Sequence, residues 1–573
     1  MKRNFCITII KALITVVLIV VLIVLSIGIT LSIYIDRNME KSIDEELFAL
    51  IGSGSSSQMF YFISDDSGDE KAKTVAMESS ELFGGYRSIY VEYDSIPQDL
   101  IDAFVSIEDR RFFSHNGVDW KRTVSATFNY FLKFSGNFGG STITQQLIKN
   151  VTDRDEYSFQ RKIQEIIWAL DLEMKLDKKE ILESYLNIIN LAHGCYGVGI
   201  ASEYYFSKDI SELTLNECAC IAAITNNPSY YDPIKKHQNN KTRKDLILSE
   251  MLDQGYITKE EFDSAYQKDV ELNVNAEYDA REVNSWYVDM VIEDVVGDLT
   301  EAYDCSREAA NLMIYTGGLK IYTAMDADVQ ACLEEYYCNE NNFYKQSYGS
   351  DKPQSAMIVI DPYSGDILGV VGAIGDKSAN RIQNFATDTV RPAGSVIKPL
   401  SVYAPALEKG LITWSSVYDD VPVNFGNYNL DASKGKIVKP KAWPQNANRV
   451  YRGLTNINYA IAHSVNTVTV KVLEEIGLNE SFDFLYDSLN MKSLISRQTL
   501  EDGTVITDMD YAALALGQMN YGVTVREITA AYSIFANDGI FNEPRSYYSV
   551  TDANGNVLLS KKYEGKSVIG KLI

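Results

Sequence analysis

Histidine and cysteine are scarce in this chain, which has four histidines and seven cysteines among 573 residues. It contains no Cys-x-x-Cys pair and no cluster of cysteines and histidines with the spacing of a zinc site. The sequence therefore argues against a transition-metal site built by protein side chains. We expect the cysteines to be free thiols that are mostly buried, and the sequence leaves open whether Cys332 and Cys338 pair.

Positive charge is also in deficit, with 53 lysines and arginines against 78 aspartates and glutamates and a formal net charge of −25. A general nucleic-acid-binding protein would show a basic face, so we expect no nucleic-acid partner. The deficit does not exclude a local basic pocket. Because the chain is too long for one hydrophobic core, we also expect several domains.

Long apolar runs are absent except at the beginning of the chain, where residues 12–35 carry no charge. A helix of this length spans roughly 36 Å, enough to cross a bilayer with some tilt. Lys2, Arg3 and Lys11 precede the run, which predicts a cytoplasmic N-terminus and an external location for everything after Asp36. A cleaved signal peptide is the alternative, but the run is longer than the usual apolar region of such peptides.

The composition and apolar spacing of the remaining sequence change several times. Apolar spacing typical of helices gives way to a more charged stretch and then to a mixture of strands and helices, an α+β pattern. Two β-rich runs around Asp361-Pro-Tyr-Ser-Gly predict a hairpin. The predicted divisions are a tail and transmembrane helix at 1–36, a juxtamembrane spacer at 37–95, a helical domain at 96–235, a mixed linker at 236–350 and an α+β domain at 351–573.

Two short stretches of the helical domain gather unusual chemistry. The first, SIEDRRFFSHNGVDW at 106–120, places Glu108 and Asp109 beside two arginines and His115. The second, GGSTITQQLIKN at 139–150, combines hydroxyls, amides and one lysine, which together suit an anion such as a phosphate. Its polar side chains are Ser141, Thr142, Thr144, Gln145, Gln146, Lys149 and Asn150. A following helix adds Arg161, Lys162 and Glu165.

These stretches carry a resemblance to a known family. EDRRFFSHNGVD, GGSTITQQLIKN, RKIQE, KKEILESYLN and GCYGVGIASEYYFSK stand in the order and spacing of the family 51 glycosyltransferases of peptidoglycan synthesis. Downstream, RPAGSVIKP and AHSVNT are similar to the transpeptidase half of the same proteins. From about residue 90 the chain resembles a class A, bifunctional penicillin-binding protein. The resemblance implies a mainly-α, lysozyme-like glycosyltransferase domain and a domain of the β-lactamase and transpeptidase type.

The resemblance implies roles for the first domain, which would join the disaccharide units of lipid II to a nascent glycan strand. Glu108 matches the general base, and Glu165 matches a second carboxylate that positions the donor pyrophosphate or a Mg²⁺ or Mn²⁺ ion bound to it. No tightly bound cofactor is implied. The matching cations for the leaving group are Lys149, Arg161 and Lys162. The residues expected to shape the cleft are Ser141, Thr142 and Gln145.

One position departs from the family pattern. An arginine usually precedes the serine of the segment that here reads DRDEYSFQRK, but this chain has Tyr157 there. Arg154 lies three residues earlier, about one helical turn away. We therefore expect Arg154 to supply the missing phosphate-facing charge. The nearby TFNYFLKF stretch at 127–134 is either a membrane-dipping surface or ordinary core, and the sequence leaves both open.

A second constellation lies in the α+β domain. Ser395 and Lys398 form a Ser-x-x-Lys motif, and Ser464 and Asn466 form a Ser-x-Asn motif. The resemblance implies that Ser395 is the nucleophile of a transpeptidase that takes peptidoglycan stem peptides and β-lactams. A neutral Lys398 would accept its proton, Ser464 would relay a proton, and Asn466 would hold the peptide.

The third transpeptidase element, Lys-Thr-Gly or Lys-Ser-Gly, does not occur in residues 1–573. We therefore expect either a truncated reading frame or an incomplete transpeptidase domain that is inactive as it stands. Two other functions compete with the glycosyltransferase hypothesis. One is a catalytically weak scaffold of the cell-wall synthesis or division machinery, and the other is a lysozyme-like hydrolase, since paired carboxylates also cleave glycosides.

Overall fold

A computed structural model describes most of the chain. The described residues are 37, 42–43, 57–62, 89–123, 141–152, 159–266, 268–275, 283–343, 353–423, 429–431, 436–438, 443–562 and 564–570. The chain forms two compact units, the first comprising residues 1–54, 86–279 and 303–312 and the second residues 55–85, 280–302 and 313–573.

The described part of the first unit is helical, as the apolar spacing predicts. Its helices are α1 (Gln98–Glu108), α2 (Ile143–Val151), α3 (Phe159–Lys175), α4 (Lys178–Ile188), α5 (Val198–Phe206), α6 (Leu215–Ile224), α7 (His237–Asp253) and α8 (Lys259–Tyr266). Capping boxes fix where α2, α4 and α6 begin, because a Thr or Asp and the Gln or Glu three residues later satisfy each other's main-chain amides. Helix α6 is buried from Cys218 to Ile224 and forms the centre of this unit.

Helices α9 (Trp286–Tyr303) and α10 (Arg307–Thr316) follow in the chain. The described helices of the second unit that come next are α11 (Ala327–Cys338), α12 (Ala404–Glu408), α13 (Ile457–Ala462), α14 (Asn466–Ile476), α15 (Leu478–Asp483), α16 (Tyr511–Leu516) and α17 (Val525–Tyr532). A 3₁₀ turn at Gly394–Ile397 and a π-helical turn at Pro399–Tyr403 lead into α12.

The strands make short pairings and one larger sheet. They are β1 (Gln58–Phe62), β2 (Lys320–Asp326), β3 (Met357–Ile360), β4 (Ile367–Val371), β5 (Val417–Asp420), β6 (Asn429–Asp431), β7 (Lys436–Val438), β8 (Gly453–Asn456), β9 (Gln498–Thr499), β10 (Val505–Ile506), β11 (Ile540–Phe541), β12 (Tyr547–Thr551), β13 (Val557–Ser560) and β14 (Lys566–Ser567). The four-stranded sheet has the order β1-β2-β12-β13, with β1 parallel to β2 and the other pairs antiparallel. The predicted hairpin is confirmed, since β3 and β4 pair antiparallel.

The compact units do not follow the predicted boundaries at 235 and 350. Helix α7 belongs to the first unit because its apolar face, with Ile247, Leu248 and Met251 fully buried, packs on α6 and α1. The charges that suggested a linker do not all face solvent, since Lys244 of this helix is 1% exposed. The stretch 313–350 instead joins the second unit, where β2 is a central strand of the sheet.

Several predictions concern residues outside the described part of the chain, namely the span at 12–35, the stretch at 127–134 and Arg154. Among the residues that the structure does describe, no helix has both the length and the apolar character needed to span a bilayer. The cysteine prediction is confirmed for the six described cysteines, none of which forms a disulfide. Four of them are buried, whereas Cys332 and Cys338 are exposed and unpaired.

Candidate active sites

Glu108 lies at the end of α1, where its carboxylate meets side chains from other parts of the helical unit. One carboxylate oxygen accepts hydrogen bonds from the Thr225 hydroxyl at 3.0 Å and from the Arg243 guanidinium at 3.3 Å. The other oxygen accepts from the Gln146 amide at 3.0 Å. The side chain is 12% exposed, so it is largely shielded yet still reachable.

Sequence reasoning missed three of the residues that hold Glu108 in place. Thr225 ends α6, and Arg243 lies in α7 beyond the predicted domain boundary, where its guanidinium packs over the Tyr231 ring at 5.1 Å. Gln146 was noted as part of a polar stretch but was given no contact with the base. The Thr225 and Arg243 contacts join residues 117 and 135 positions apart, a separation that leaves no local pattern to detect.

Asp109 is fully buried and organises the start of α2. Its carboxylate accepts from the His115 ring at 2.9 Å and from the main-chain amide of Ile143 at 3.0 Å. A negative charge at this position also complements the dipole of α2. His115 therefore bonds a buried acid. Among the described residues, no hydrogen bond joins the His115 ring to the Glu108 carboxylate.

Thr142 and Gln145, which were expected to shape the cleft, are fully buried and form the capping box of α2. The Thr142 hydroxyl also donates to the Gly117 carbonyl at 2.6 Å. Gly117 has φ +77°, and a Cβ there would lie 2.3 Å from the Ala169 carbonyl oxygen, so only glycine fits. These contacts position α2, whereas contact of Thr142 or Gln145 with a ligand stays a prediction.

Glu165 on α3 lies beside a group of cations. The Lys162 ammonium bonds both the Glu165 carboxylate and, at 3.0 Å, the Ser141 hydroxyl. A small pocket opens next to them. Its lining residues are Ile148, Lys149, Thr152, Arg161, Gln164, Glu165 and Trp168. The predicted residues Lys149, Arg161 and Glu165 are therefore brought together, and Lys162 bonds both Glu165 and Ser141.

The pocket suits an anion better than a metal ion held by the protein. Glu165 is the one carboxylate among its lining residues, and Lys162 already neutralises it. Within the described ranges no group of three or more His, Cys, Asp or Glu side chains is arranged to hold a metal ion. The donors that surround Glu165 thus do not fit a divalent ion bound by this chain alone.

Helix α2 connects the two acids. Gln146 bonds Glu108, and Lys149, three residues later, lines the pocket that contains Glu165. Side chains three residues apart lie on the same side of a helix. The contact with Glu108 and the pocket that contains Glu165 therefore lie on one side of α2.

In the second unit, Ser395 and Lys398 lie at the two ends of one short helical turn. Ser395 is exposed in the 3₁₀ segment, and Lys398 is 2% exposed directly after it. The Lys398 ammonium donates to the Ser464 hydroxyl and carbonyl, both at 3.0 Å, and to the Asn466 amide oxygen at 2.5 Å. Burial lowers the pKa of Lys398 to about 8. The structure therefore unites the Ser-x-x-Lys and Ser-x-Asn motifs.

Ser395 opens onto a cleft of about 560 Å³. The residues that line this cleft are Pro392, Gly394, Ser395, Asn466, Leu516, Gly517, Gln518 and Met519. Gly517 must be glycine, because its φ is +69° and a Cβ would lie 2.1 Å from the Gly394 carbonyl oxygen. The close approach brings the end of α16 against the segment that carries the serine.

A buried network that the sequence did not reveal supports Asn466. Its main-chain amide donates to the Asn446 side chain at 3.0 Å, and Asn446 in turn donates to Asp420 at 2.7 Å. Asp420 also accepts from the Thr467 hydroxyl and the Arg452 amide. Burial alone would raise the pKa of Asp420, but the hydrogen bonds from Thr467, Asn446 and Arg452 lower it overall. Asp420 is thus an ionised anchor for the beginning of α14.

Comparison with known proteins shows what the two parts of this chain are similar to. Family models described as a transglycosylase and as a penicillin-binding protein transpeptidase domain match residues 77–252 and 355–572, respectively. A penicillin-binding protein 1A from Clostridium botulinum is 34% identical over 88% of this chain and 60% of its own length. A penicillin-binding protein 1A from Streptococcus oralis is 30% identical over 87% of this chain and 75% of its own length.

A third relative, penicillin-binding protein 1F from Bacillus subtilis, is 32% identical over 89% of this chain and 64% of its own length. The chain thus spans about 60% of the length of the clostridial relatives that it matches.

Proposed function

Because this chain belongs to the class A penicillin-binding proteins, we propose that it polymerises lipid II into the glycan strands of peptidoglycan. The observation that carries the proposal is the environment of Glu108. A partly shielded carboxylate, bonded by Gln146, Thr225 and Arg243, faces the same side of α2 as a cationic pocket. A base and an anion site on the same side of one helix suit a reaction between a sugar hydroxyl and a sugar diphosphate.

In the proposed reaction Glu108 removes the proton from the 4-hydroxyl of the acceptor sugar. The oxygen attacks the anomeric carbon of the donor, the bond from that carbon to the pyrophosphate oxygen breaks, and lipid pyrophosphate leaves. Attack opposite the leaving group inverts the anomeric carbon and gives a β-1,4 link. A general base contributes about 10²–10⁴-fold to such a step, and the donors on Glu108 keep its carboxylate available.

The leaving pyrophosphate carries negative charge, which the second acid's surroundings can balance. Lys149 and Arg161 line the pocket, and Lys162 is held beside it by Glu165 and Ser141. Glu165 therefore acts in this proposal by positioning cations. A Mg²⁺ or Mn²⁺ ion would reach the site only as a companion of the substrate's phosphates.

The proposal is tested by incubating the purified full chain with labelled lipid II and separating the products by size. Polymer that disappears with moenomycin and with E108Q supports it. Fragments released from preformed glycan would indicate a hydrolase, and neither product would indicate a scaffold. D109N is not a suitable control, because Asp109 organises α2. D171N is a suitable control, because the partners of Asp171 among the described residues are Ile43 and Lys175, at the far end of α3.

For the second unit we propose acylation of Ser395 by β-lactams and by peptidoglycan stem peptides. Lys398 accepts the serine proton, the serine oxygen attacks the carbonyl carbon, and the amide nitrogen leaves after receiving a proton through Ser464. The support is the contact of Lys398 with Ser464 and Asn466 beside the Ser395 cleft. Since residues 1–573 contain no Lys-Thr-Gly or Lys-Ser-Gly, we expect cross-linking by this sequence to be weak or absent.

We further propose that the chain lies in the bacterial cell membrane as a single-pass protein with its catalytic units outside. The support is the uncharged run at 12–35 with Lys2, Arg3 and Lys11 before it. Tethering would raise the effective concentration of enzyme at a lipid-anchored substrate. Proteins of cell-wall synthesis or division are the expected partners. Protease added outside intact cells should degrade residues after 36 and spare a tag at the N-terminus.

A further inference from the structure

Three side chains from three helices form a relay that ends at the proposed base. The hydroxyl of Tyr185 in α4 donates to the side-chain carbonyl of Gln146 in α2 at 3.1 Å. The nitrogen of the same amide donates to Glu108 at 3.0 Å. Each link is within hydrogen-bonding distance, so the relay is continuous from the phenol to the carboxylate.

The amide of Gln146 has two different ends, and its partners decide which end meets Glu108. With the carbonyl held by Tyr185, the N–H group is left to face Glu108. In the reverse orientation the carbonyl would face a carboxylate oxygen, and two acceptors would repel each other. Only a protonated Glu108 could donate to that carbonyl. In the orientation seen in the structure, the Gln146 amide donates to Glu108 and cannot accept a hydrogen bond from it.

Tyr185 is built to hold this orientation firmly. Its ring is completely buried, and Phe104 packs edge-on against it with ring centroids 6.2 Å apart. Burial, together with the nearby Glu108 and Asp109 carboxylates, raises the pKa of the Tyr185 phenol well above its usual value. The hydroxyl thus stays protonated and remains a donor throughout the working pH range.

We propose that Tyr185 is a positioning residue for glycosyl transfer, which acts through Gln146 to keep Glu108 in the form that accepts the sugar proton. The inference rests on the proposed function, because it gives Tyr185 a purpose only if Glu108 is the base. Other charged and titratable groups also lie around Glu108 in the described part of the chain. They are Arg243, Arg122, which bonds the Glu108 carbonyl, the neighbours Asp109 and Arg110, and His115 on Asp109.

The test is Y185F, which removes one oxygen and leaves these charged groups in place. Without the phenol the Gln146 amide can turn over when Glu108 is protonated. Relative to wild type, kcat/KM for lipid II polymerisation should fall about two- to tenfold at the acid end of the pH profile, the range expected for one hydrogen bond. At the alkaline plateau it should change less than about twofold, because there Glu108 is ionised in both proteins.

Y205F is a matched control. Tyr205 in α5 is also fully buried, and its hydroxyl donates to the Leu191 carbonyl at 2.7 Å, away from the relay. The control should leave the shape of the pH profile unchanged. A second comparison places Y185F in a Q146A background, where it should have no further effect on the profile. An equal loss at every pH, or the same effect with Q146A present, would overturn the inference.

The inference and the proposed function fail in different ways. If E108Q abolishes polymerisation but Y185F leaves the profile unchanged, the function stands and the relay is refuted. If the wild-type chain makes no polymer, the function fails, and the relay is judged from melting temperatures. The melting temperatures of proteins with and without E108Q are then compared across a range of pH values. In the Y185F background, the pH at which this difference changes should be higher than in the wild-type background. An unmoved dependence refutes the relay.

Discussion

The pH dependence of Ser395 acylation gives the most direct test of the second site. Lys398 can accept the serine proton only when its amine is neutral. Burial lowers the pKa of Lys398 from 10.5 to about 8. At pH 7 this raises the neutral fraction about 300-fold, to roughly a tenth of the molecules. Below pH 8 the acylation rate should therefore rise about tenfold for each pH unit, and it should level off above pH 8.

The assay measures the rate of labelling by a fluorescent penicillin from pH 6 to pH 9, with penicillin hydrolysis in each buffer subtracted. S395A should show no labelling, and K398A should label slowly with little dependence on pH, because no buried amine then titrates. A wild-type rate that stays constant between pH 6 and pH 8 would refute the role of Lys398. Absence of labelling at every pH would show that the contacts among Ser395, Lys398, Ser464 and Asn466 do not suffice for acylation.

Three further outcomes are expected. R243A should lower kcat/KM for lipid II polymerisation about 10- to 100-fold, the range for a charge-assisted hydrogen bond, and R243K should recover part of the loss. Equal activity of the wild type, R243A and R243K would contradict this prediction. R154A should abolish polymerisation if Arg154 replaces the missing cation, and normal polymer would disprove it. D420N should slow penicillin labelling at least about tenfold, because Asn466 loses its support. D366N, which changes another buried acid of the same unit, should not slow labelling. Similar losses in both variants would indicate general destabilisation.

Local signals in the sequence predicted the parts of each site that lie close together in the chain. Ser395 and Lys398 share one turn, so their three-residue spacing alone indicates their geometry, whereas Thr142 and Gln145 were expected to shape the cleft and instead cap α2. The hairpin of β3 and β4 is local for the same reason. Fold class and these motifs could therefore be read before any coordinates were known.

Contacts between distant segments could not be predicted in this way. Arg243 reaches Glu108 across 135 residues, and Asp420 supports Asn466 through Asn446. Each of these residues looks like an ordinary surface or turn residue in its own stretch of sequence. Their roles depend on how whole helices and strands pack against each other, which a short stretch of sequence does not show. For the same reason the sequence predicts a linker where the structure has α7 packed in the first unit.

The two sites prepare their bases by opposite physical means. A carboxylate is a base only when ionised, and Glu108 is accordingly surrounded by donors, with Tyr185 fixing the direction of one of them. An amine is a base only when neutral, and Lys398 is accordingly buried, so that its charged form loses hydration. Burial without such donors would favour the protonated form of a carboxylate, so the environment that suits Lys398 would not suit a carboxylate base. The hydrogen bonds to Glu108 and the burial of Lys398 are therefore the part of each site on which its chemistry depends.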